Sequence, residues 1–376
     1  MGGNIDLDQV ALEIARKHLL EKVSFKELGR IYYASPSTIQ RRLMKWLEDN
    51  RFDITDKLKP ARPVVVKRDD RLAEELARKT GIWRARVVRI SGLDEAGSGE
   101  TTADDFTFAD KASDELHRCL GEVAAELVIN GFRRNMTIGL ASGRGVGYTI
   151  DGIKEIADQT PSWIGGYENI RLVSMCGGAH LGGWQNSNSG RDFDADENVF
   201  ALSSILKNPR KNVYYMNGPV LVDTTDQRSD LNPRFEFNLA VIGLGQLNAQ
   251  HHYLRDHNDL QLKTLTEPIR RIVGWQSEHP DILDMVAEIV LKLYPAASQD
   301  LPMDIEETIR ETNERIMSVS PEKIKEAGEV ILVSGGEQKA DVLHGVLTGK
   351  YPDTPIVKKN LTLVTDSLAA EAILNR

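Results

Sequence analysis

From residue 70 onward, short apolar runs rich in β-branched residues recur between longer segments of mixed polarity. They are ARVVRI (85 to 90), MTIGL (136 to 140), IRLVSM (170 to 175), FNLAVIGL (237 to 244), EVILVSG (329 to 335) and NLTLVTD (360 to 366). Continuous apolar runs of this length predict strands buried on both faces, and the helical segments between them predict a mostly parallel sheet covered by helices. The first of those helices is DRLAEELARKTG, 70 to 81. The first fifty residues follow a different period. Val10, Ile14 and Leu19 mark one amphipathic helix, and Ser24 with Glu27 forms a capping box that opens a second carrying Leu28 and Ile31. Ser35 as N-cap and Pro36 at the first helical position open a third, on which Ile39, Leu43, Trp46 and Leu47 share an apolar face. Residues 6 to 50 therefore read as a compact helix-turn-helix unit. Its turn carries Tyr33 where glycine would relieve a left-handed backbone.

The fold class expected is α/β: an N-terminal all-α (winged) helix-turn-helix domain and a Rossmann-like, mostly parallel α/β domain. The prolines and mixed charges of RFDITDKLKPARPVVVKRDD, 51 to 70, fit a short wing followed by a linker. The domains are placed at 1–58, with a linker at 59–70, and at 71–376. The chain of 376 residues is long enough for this division. No internal repeat or low-complexity segment interrupts it.

Charge changes the picture. The net charge is -9, yet residues 1 to 68 hold fourteen Lys/Arg against nine Asp/Glu, a balance of +5, which leaves -14 on the remainder. A basic head on an acidic body fits a nucleic-acid-facing module joined to a domain that does not touch nucleic acid. Successive 100° steps place Ser37, Thr38, Arg41 and Lys45 opposite the buried face of the third helix, with Gln40 and Arg42 on its flanks. With Ser35, these residue types hydrogen-bond phosphates and base edges, so the third helix reads as a recognition helix for double-stranded DNA. No run approaches the ~18 apolar residues of a membrane span, so no membrane partner is expected. The first ten residues lack the basic and apolar regions of a leader, so the expected compartment is the cytosol. The two cysteines, Cys119 and Cys176, are far apart and read as reduced thiols.

Candidate small-molecule chemistry gathers where strands end. The strand at 136 to 140 runs into Ser142, Gly143, Arg144, Gly145 and Gly147; others end in Gly177-Gly178, Gly245-Gln246 and Gly335-Gly336-Glu337-Gln338-Lys339. In open α/β sheets ligands bind outside the carboxyl ends of the strands, and Arg144 and Lys339 favour an anionic ligand there. The spacing of SGRGVG departs from the dinucleotide fingerprint, no Walker A sequence is present, and no cofactor is expected.

The order of the helix-turn-helix, IGLASGRGV, LVSMCGG, VIGLGQ, VSGGEQKADVLHGVL and NLTLVTDSLAAEAIL resembles the SorC family of sugar-responsive transcriptional regulators. The resemblance implies an effector domain of the sugar-phosphate isomerase/deaminase type, operator DNA as partner, and self-association as a homodimer or homotetramer. It also implies a sugar, polyol or sugar-phosphate effector contacted by Ser142, Gly143, Arg144, Gly145, Gly177, Gly178, Gly245, Gln246 and Lys339. Asp366 would be either a polar contact near that site or the cap of the next helix. Cys176 stands where phosphosugar-responsive members carry Arg, and Gln246 where an acidic residue is possible, which shifts the expectation from a bisphosphate toward a monophosphate or neutral sugar derivative. The Gly-rich stretch 177 to 200 is expected to be either a lid, with Trp184, Gln185 and Asn186 against a sugar, or a solvated loop.

Other motifs carry less. Asp192, Asp194 and Asp196 begin like a calcium loop, but Glu197 and Ser203 stand where Gly and a bidentate Glu are needed. His251, His252 and His257 lack a carboxylate partner, and no metal is expected. The rival reading is a sugar-phosphate isomerase or deaminase with a basic helical module, for which Asp151, Glu337 and Asp366 are the candidate bases. A fold shared with enzymes is not itself chemistry, and the expectation is a non-enzyme.

Overall fold

The computed structural model describes residues 25–31, 35, 37–39, 41, 66–90, 106–160, 167, 169–177, 193–216, 235–246, 286–289, 292–295, 302–351 and 353–376. The chain divides into two compact units, Met1–Val64 and Val65–Arg376. In the smaller unit helix α1, Phe25–Ile31, starts one residue after Ser24, as its capping box predicts. Its Leu28 is buried, as is Ile39 farther along.

The larger unit is built on an eight-stranded sheet. Its strands are β1 (Val66–Arg68), β2 (Arg84–Ile90), β3 (Thr137–Leu140), β4 (Arg171–Ser174), β5 (Val213–Tyr214), β6 (Leu239–Gly243), β10 (Glu329–Val333) and β11 (Leu361–Asp366). Strands β7 (Gly245–Gln246), β8 (Val286–Ile289) and β9 (Lys292–Pro295) form a separate antiparallel sheet of three. The large sheet runs β1-β2-β11-β10-β6-β3-β4-β5, and every pair in it is parallel except β1 with β2. From β3 the chain winds outward through β4 to β5, and from β6 it winds the other way through β10 to β11. The reversal between β3 and β6 is a topological switch point, where such sheets open a crevice.

Helices cover both faces, which is why the central strands are buried without alternation: all six residues of β11, including Thr362, Thr365 and Asp366, and all four of β3 are buried. Burying a side chain such as Leu363 completely is worth about 1.5–3 kcal/mol. Helix α2, Asp70–Thr80, begins where the Asp69 carboxylate accepts the Leu72 amide at 3.0 Å and ends at Gly81, whose φ of 74° is left-handed. Val66–Arg68 and Asp69, expected in the linker, thus already belong to the larger unit as edge strand and helix cap. Helix α3, Phe106–Gly131, packs against α4, Arg144–Gln159, closely enough that a Cβ at Gly121 would lie 2.5 Å from the Tyr148 backbone. The remaining helices are α5 (Ala195–Leu206), α6 (Met303–Arg315), α7 (Pro321–Lys325), α8 (Ala340–Thr348) and α9 (Ser367–Leu374). Among the described residues no helix is long and apolar enough to cross a membrane.

Candidate functional site

The loops after β3, β6 and β10 leave the same edge of the sheet around the switch point. After β3 the Ala141 amide donates to the Val241 carbonyl at 3.0 Å, and Gly143 then takes φ 113° and ψ 154°, which only glycine adopts without strain. Gly143 brings no side chain to cap α4, so the first turn of that helix presents amides and the positive end of its dipole at the edge. Arg144 is the first residue of α4. Its Nη1 lies 3.2 Å from Oδ1 of Asp114 on α3, and both side chains are half-buried. Below them Tyr148 stacks at a tilt on Phe193, with ring centroids 5.0 Å apart. Its phenol is pushed up to about 12, first by burial and then by the Asp114 charge.

After β10, Gly336 has φ 95°, and Lys339, on the following 3-10 turn, donates from Nζ to the Leu244 carbonyl at 3.0 Å. The loops after β6 and β10 are thereby tied together. Asp366 ends β11 as the N-cap of α9. Its Oδ1 accepts the Ala369 amide at 3.1 Å and its Oδ2 the Gly336 amide at 2.5 Å. Burial raises its carboxyl above the ordinary value, while those amides pull the other way. Of the two roles expected for Asp366, this is the cap. Two hydroxyls at the same edge, on Ser334 and Thr365, are buried with no hydrogen-bond partner among the described residues. The register that pairs Val333 with Val364 sets them side by side on adjacent strands.

The structure brings Ser142, Gly143, Arg144, Gly145, Lys339 and Asp366 to one edge of the sheet. Gly178 lies outside the described residues. Gly177 is placed there too, but its amide donates to the Met317 carbonyl at 2.7 Å, and Gly143 likewise donates to Phe193 at 2.8 Å. Gly245 and Gln246, expected in a loop, form β7, with Gly245 opposite Glu288. Cys176 is fully buried with Sγ 3.5 Å from the Ser142 hydroxyl, and burial pushes its thiol up to about 12, so it contributes no charge. The end of the stretch expected as either a lid or a solvated loop is helical instead: Asp194 caps α5 by accepting the Glu197 amide at 2.6 Å, Asp196 accepts the Met216 amide at 3.0 Å, and Phe193 is buried. Trp184, Gln185, Asn186 and Asp192 lie outside the described residues, as do His251, His252 and His257. Sequence reasoning missed Asp114, for which an acidic residue on a helix thirty positions before Arg144 gives no signal.

In the smaller unit the Ser35 hydroxyl accepts the Thr38 amide at 3.1 Å, and the Ser35 carbonyl accepts the Ile39 amide at 3.0 Å, the geometry of an N-cap. The Ser37 and Thr38 hydroxyls lie 3.0 and 2.7 Å from that of Ser35. Ser35, Ser37 and Arg41 are exposed while Ile39 is buried, so the polar and apolar faces divide as the periodicity requires. Gln40, Arg42 and Lys45 lie outside the described residues.

Residues 302–375 match the family described as "Putative sugar-binding domain". That segment holds Gly336, Lys339 and Asp366. The full-length sorbitol operon regulator SorC from Klebsiella pneumoniae shares the fold, with a TM-score of 0.51 at 16% identity over 98% of this chain and 99% of that one. The "Putative Sugar-Binding Domain of Transcriptional Repressor" from Vibrio fischeri has a TM-score of 0.52 at 14% identity over 82% of this chain and 98% of that one. These likenesses agree with the resemblance to the SorC family carried by the glycine loops. No curated protein matches the chain by sequence.

Proposed function

We propose that the chain is a DNA-binding transcriptional regulator of a carbohydrate-related operon, gated by a sugar, polyol or sugar phosphate bound at the carboxyl edge of the sheet. The observation that carries this reading is the convergence of the Arg144 and Lys339 loops at the switch point, with Lys339 inside the segment that matches the sugar-binding family. The similarity in fold extends over both units to a sorbitol operon regulator, which supports DNA as the second partner. Ser35 shapes the start of the recognition helix, and Ser37, Thr38 and Arg41 face phosphates or bases together with Gln40, Arg42 and Lys45. The protein acts in the cytosol as a homodimer or homotetramer, and the effector works by preferring one arrangement of subunits over another.

The enzyme reading needs a free carboxylate. Asp366, the buried one of its three candidates, has both oxygens accepting backbone amides, which favours the regulator. Fluorescence anisotropy on the duplex upstream of the coding region, with and without a panel of sugars, polyols and their phosphates, tests the proposal at fixed salt. Saturable binding that shifts with one compound is expected. Arg41→Ala should weaken it by about tenfold or more. Binding no tighter than to random duplex would sink the regulator and send the same panel to a turnover assay.

A further inference from the structure

The cation nearest the candidate effector loop is already answered by a carboxylate of the protein. Arg144 opens α4, and its Nη1 meets Asp114 Oδ1 at 3.2 Å through a single nitrogen, not as a two-pronged pair. The side chains retain 34% and 17% of their exposure, so the guanidinium is reachable from solvent while the carboxylate is the more enclosed partner. Arg118, one turn along α3 from Asp114, is held by Glu115 at 2.5 Å and by Glu122, and so is committed elsewhere. Lys339, the second cation of the edge, donates to the Leu244 carbonyl. Among the described residues, an anion arriving at the first turn of α4 therefore meets one guanidinium, which is shared with a fixed negative charge.

Resting on the effector reading above, we propose that Asp114 is the specificity residue of the site: it competes with the effector for Arg144 and restricts the pocket to ligands of low negative charge. An incoming phosphate or carboxylate oxygen takes the guanidinium, aided by the amides and dipole of the α4 N-terminus, and Asp114 is left without it. No covalent bond is made or broken in this exchange, in which an ion pair to the anionic effector replaces the one to Asp114. A singly phosphorylated or uncharged sugar tolerates the carboxylate nearby, whereas each further charge on the ligand is repelled by it. Because Asp114 lies on α3 and Arg144 on α4, the exchange also loosens one tie between those helices, which gives the effector a route to alter their packing.

The test is a titration of the full chain with inorganic phosphate at low salt, by calorimetry, for wild type, Asp114→Asn, Asp114→Glu and Arg144→Gln. Asp114→Asn keeps the shape and removes the charge, and it is expected to bind phosphate about fivefold more tightly, the size of a half-exposed ion pair. Asp114→Glu keeps the charge and should stay close to wild type, which controls for folding, while Arg144→Gln should bind about tenfold more weakly. Equal or weaker binding by Asp114→Asn, with Arg144→Gln still impaired, would show that Asp114 positions the arginine instead of competing for it. That result overturns the proposal and leaves the effector reading standing. Phosphate binding unaltered by Arg144→Gln would remove the α4 loop from the site, and the effector reading would fall with it.

Discussion

At the amino edge of the central sheet the strands are fastened by side chains, whereas at the carboxyl edge they hand over to glycine loops. Glu329, at the start of β10, takes Arg84 of β2 at 3.0 Å and the Thr362 hydroxyl of β11 at 2.8 Å, across three adjoining strands. Asn238 accepts the Thr137 amide at 2.7 Å just before β6, and Asn360 donates to the Ala327 carbonyl at 2.6 Å just before β11. The opposite edge holds Gly143 and Gly336 in backbone regions barred to other residues, a cation paired across helices, and two buried hydroxyls without partners among the described residues. Neither edge is fully matched among the described residues, since Arg84 Nε and Asn360 Oδ1 at the amino edge are also buried without a partner. The difference is that Arg84 and Asn360 are tied through their other atoms, whereas the Ser334 and Thr365 hydroxyls are not, and an unmatched group costs stability.

Asp366 is the largest challenge to this contrast, because it stands at the carboxyl edge and yet acts as a fastener. Asp366→Ala strands two buried amides and removes a helix cap, so a loss of about 2–4 kcal/mol is expected by urea denaturation. A loss below ~1 kcal/mol would mean that the loop after β10 is held by something else. The pH dependence has a definite sign. Burial raises the folded-state value of this carboxyl, so its contribution is fully present below the unfolded value and is lost as pH rises through the folded one. The advantage of wild type over Asp366→Asn should therefore shrink from pH 4 to pH 7 in denaturation curves. Growth of that advantage would show that the two amides outweigh burial.

Smaller changes sharpen the contrast. Arg84→Ala removes a half-exposed ion pair at the amino edge and should cost about 1 kcal/mol, with DNA binding and the effector response unchanged. Lys339→Ala should do the reverse. It gives up one half-buried hydrogen bond, about 0.5 kcal/mol, keeps DNA affinity, and blunts the shift that the effector produces in anisotropy. If both variants altered stability alone, the two edges would be equivalent and the functional distinction between them would be wrong.

Six of the eight strands of the large sheet were legible because they are largely buried and read as apolar runs, and the observed bounds of those six lie within two residues of those expected; β1 fell in the expected linker, and β5 is only two residues long. The sheet of β7, β8 and β9 was not. Its strands are two to four residues long, too short for any period to declare itself, and Gly245 looked like one more loop glycine. The segment after Asp192 misled in the other direction. Asp194, Asp196 and Glu197 gave it a polar, loop-like composition, although these are the acidic residues that a helix N-terminus favours. At the site, the glycines and cations were readable as types at strand ends. What they contact was not, since Asp114 with Arg144 and Lys339 with Leu244 are meetings created by the packing of separate elements.

The strand order also governs when the molecule can become whole. Strand β11, the last of the sheet along the chain, is not at its margin but between β10 and β2, with Thr362 opposite Arg84 and Val330 opposite Leu361. While the polypeptide is still being made, β1 and β2 can pair with each other, but the far side of β2 has no neighbour until residues 361 to 366 have left the ribosome. A strand with one open edge must then wait until residues 91 to 360 have been made, a condition that invites association with other nascent chains and that the arginines of β2 blunt. Closure of this sheet needs residues 361 to 366, and a polypeptide cut short before β11 would expose the flanks of β2 and β10 together.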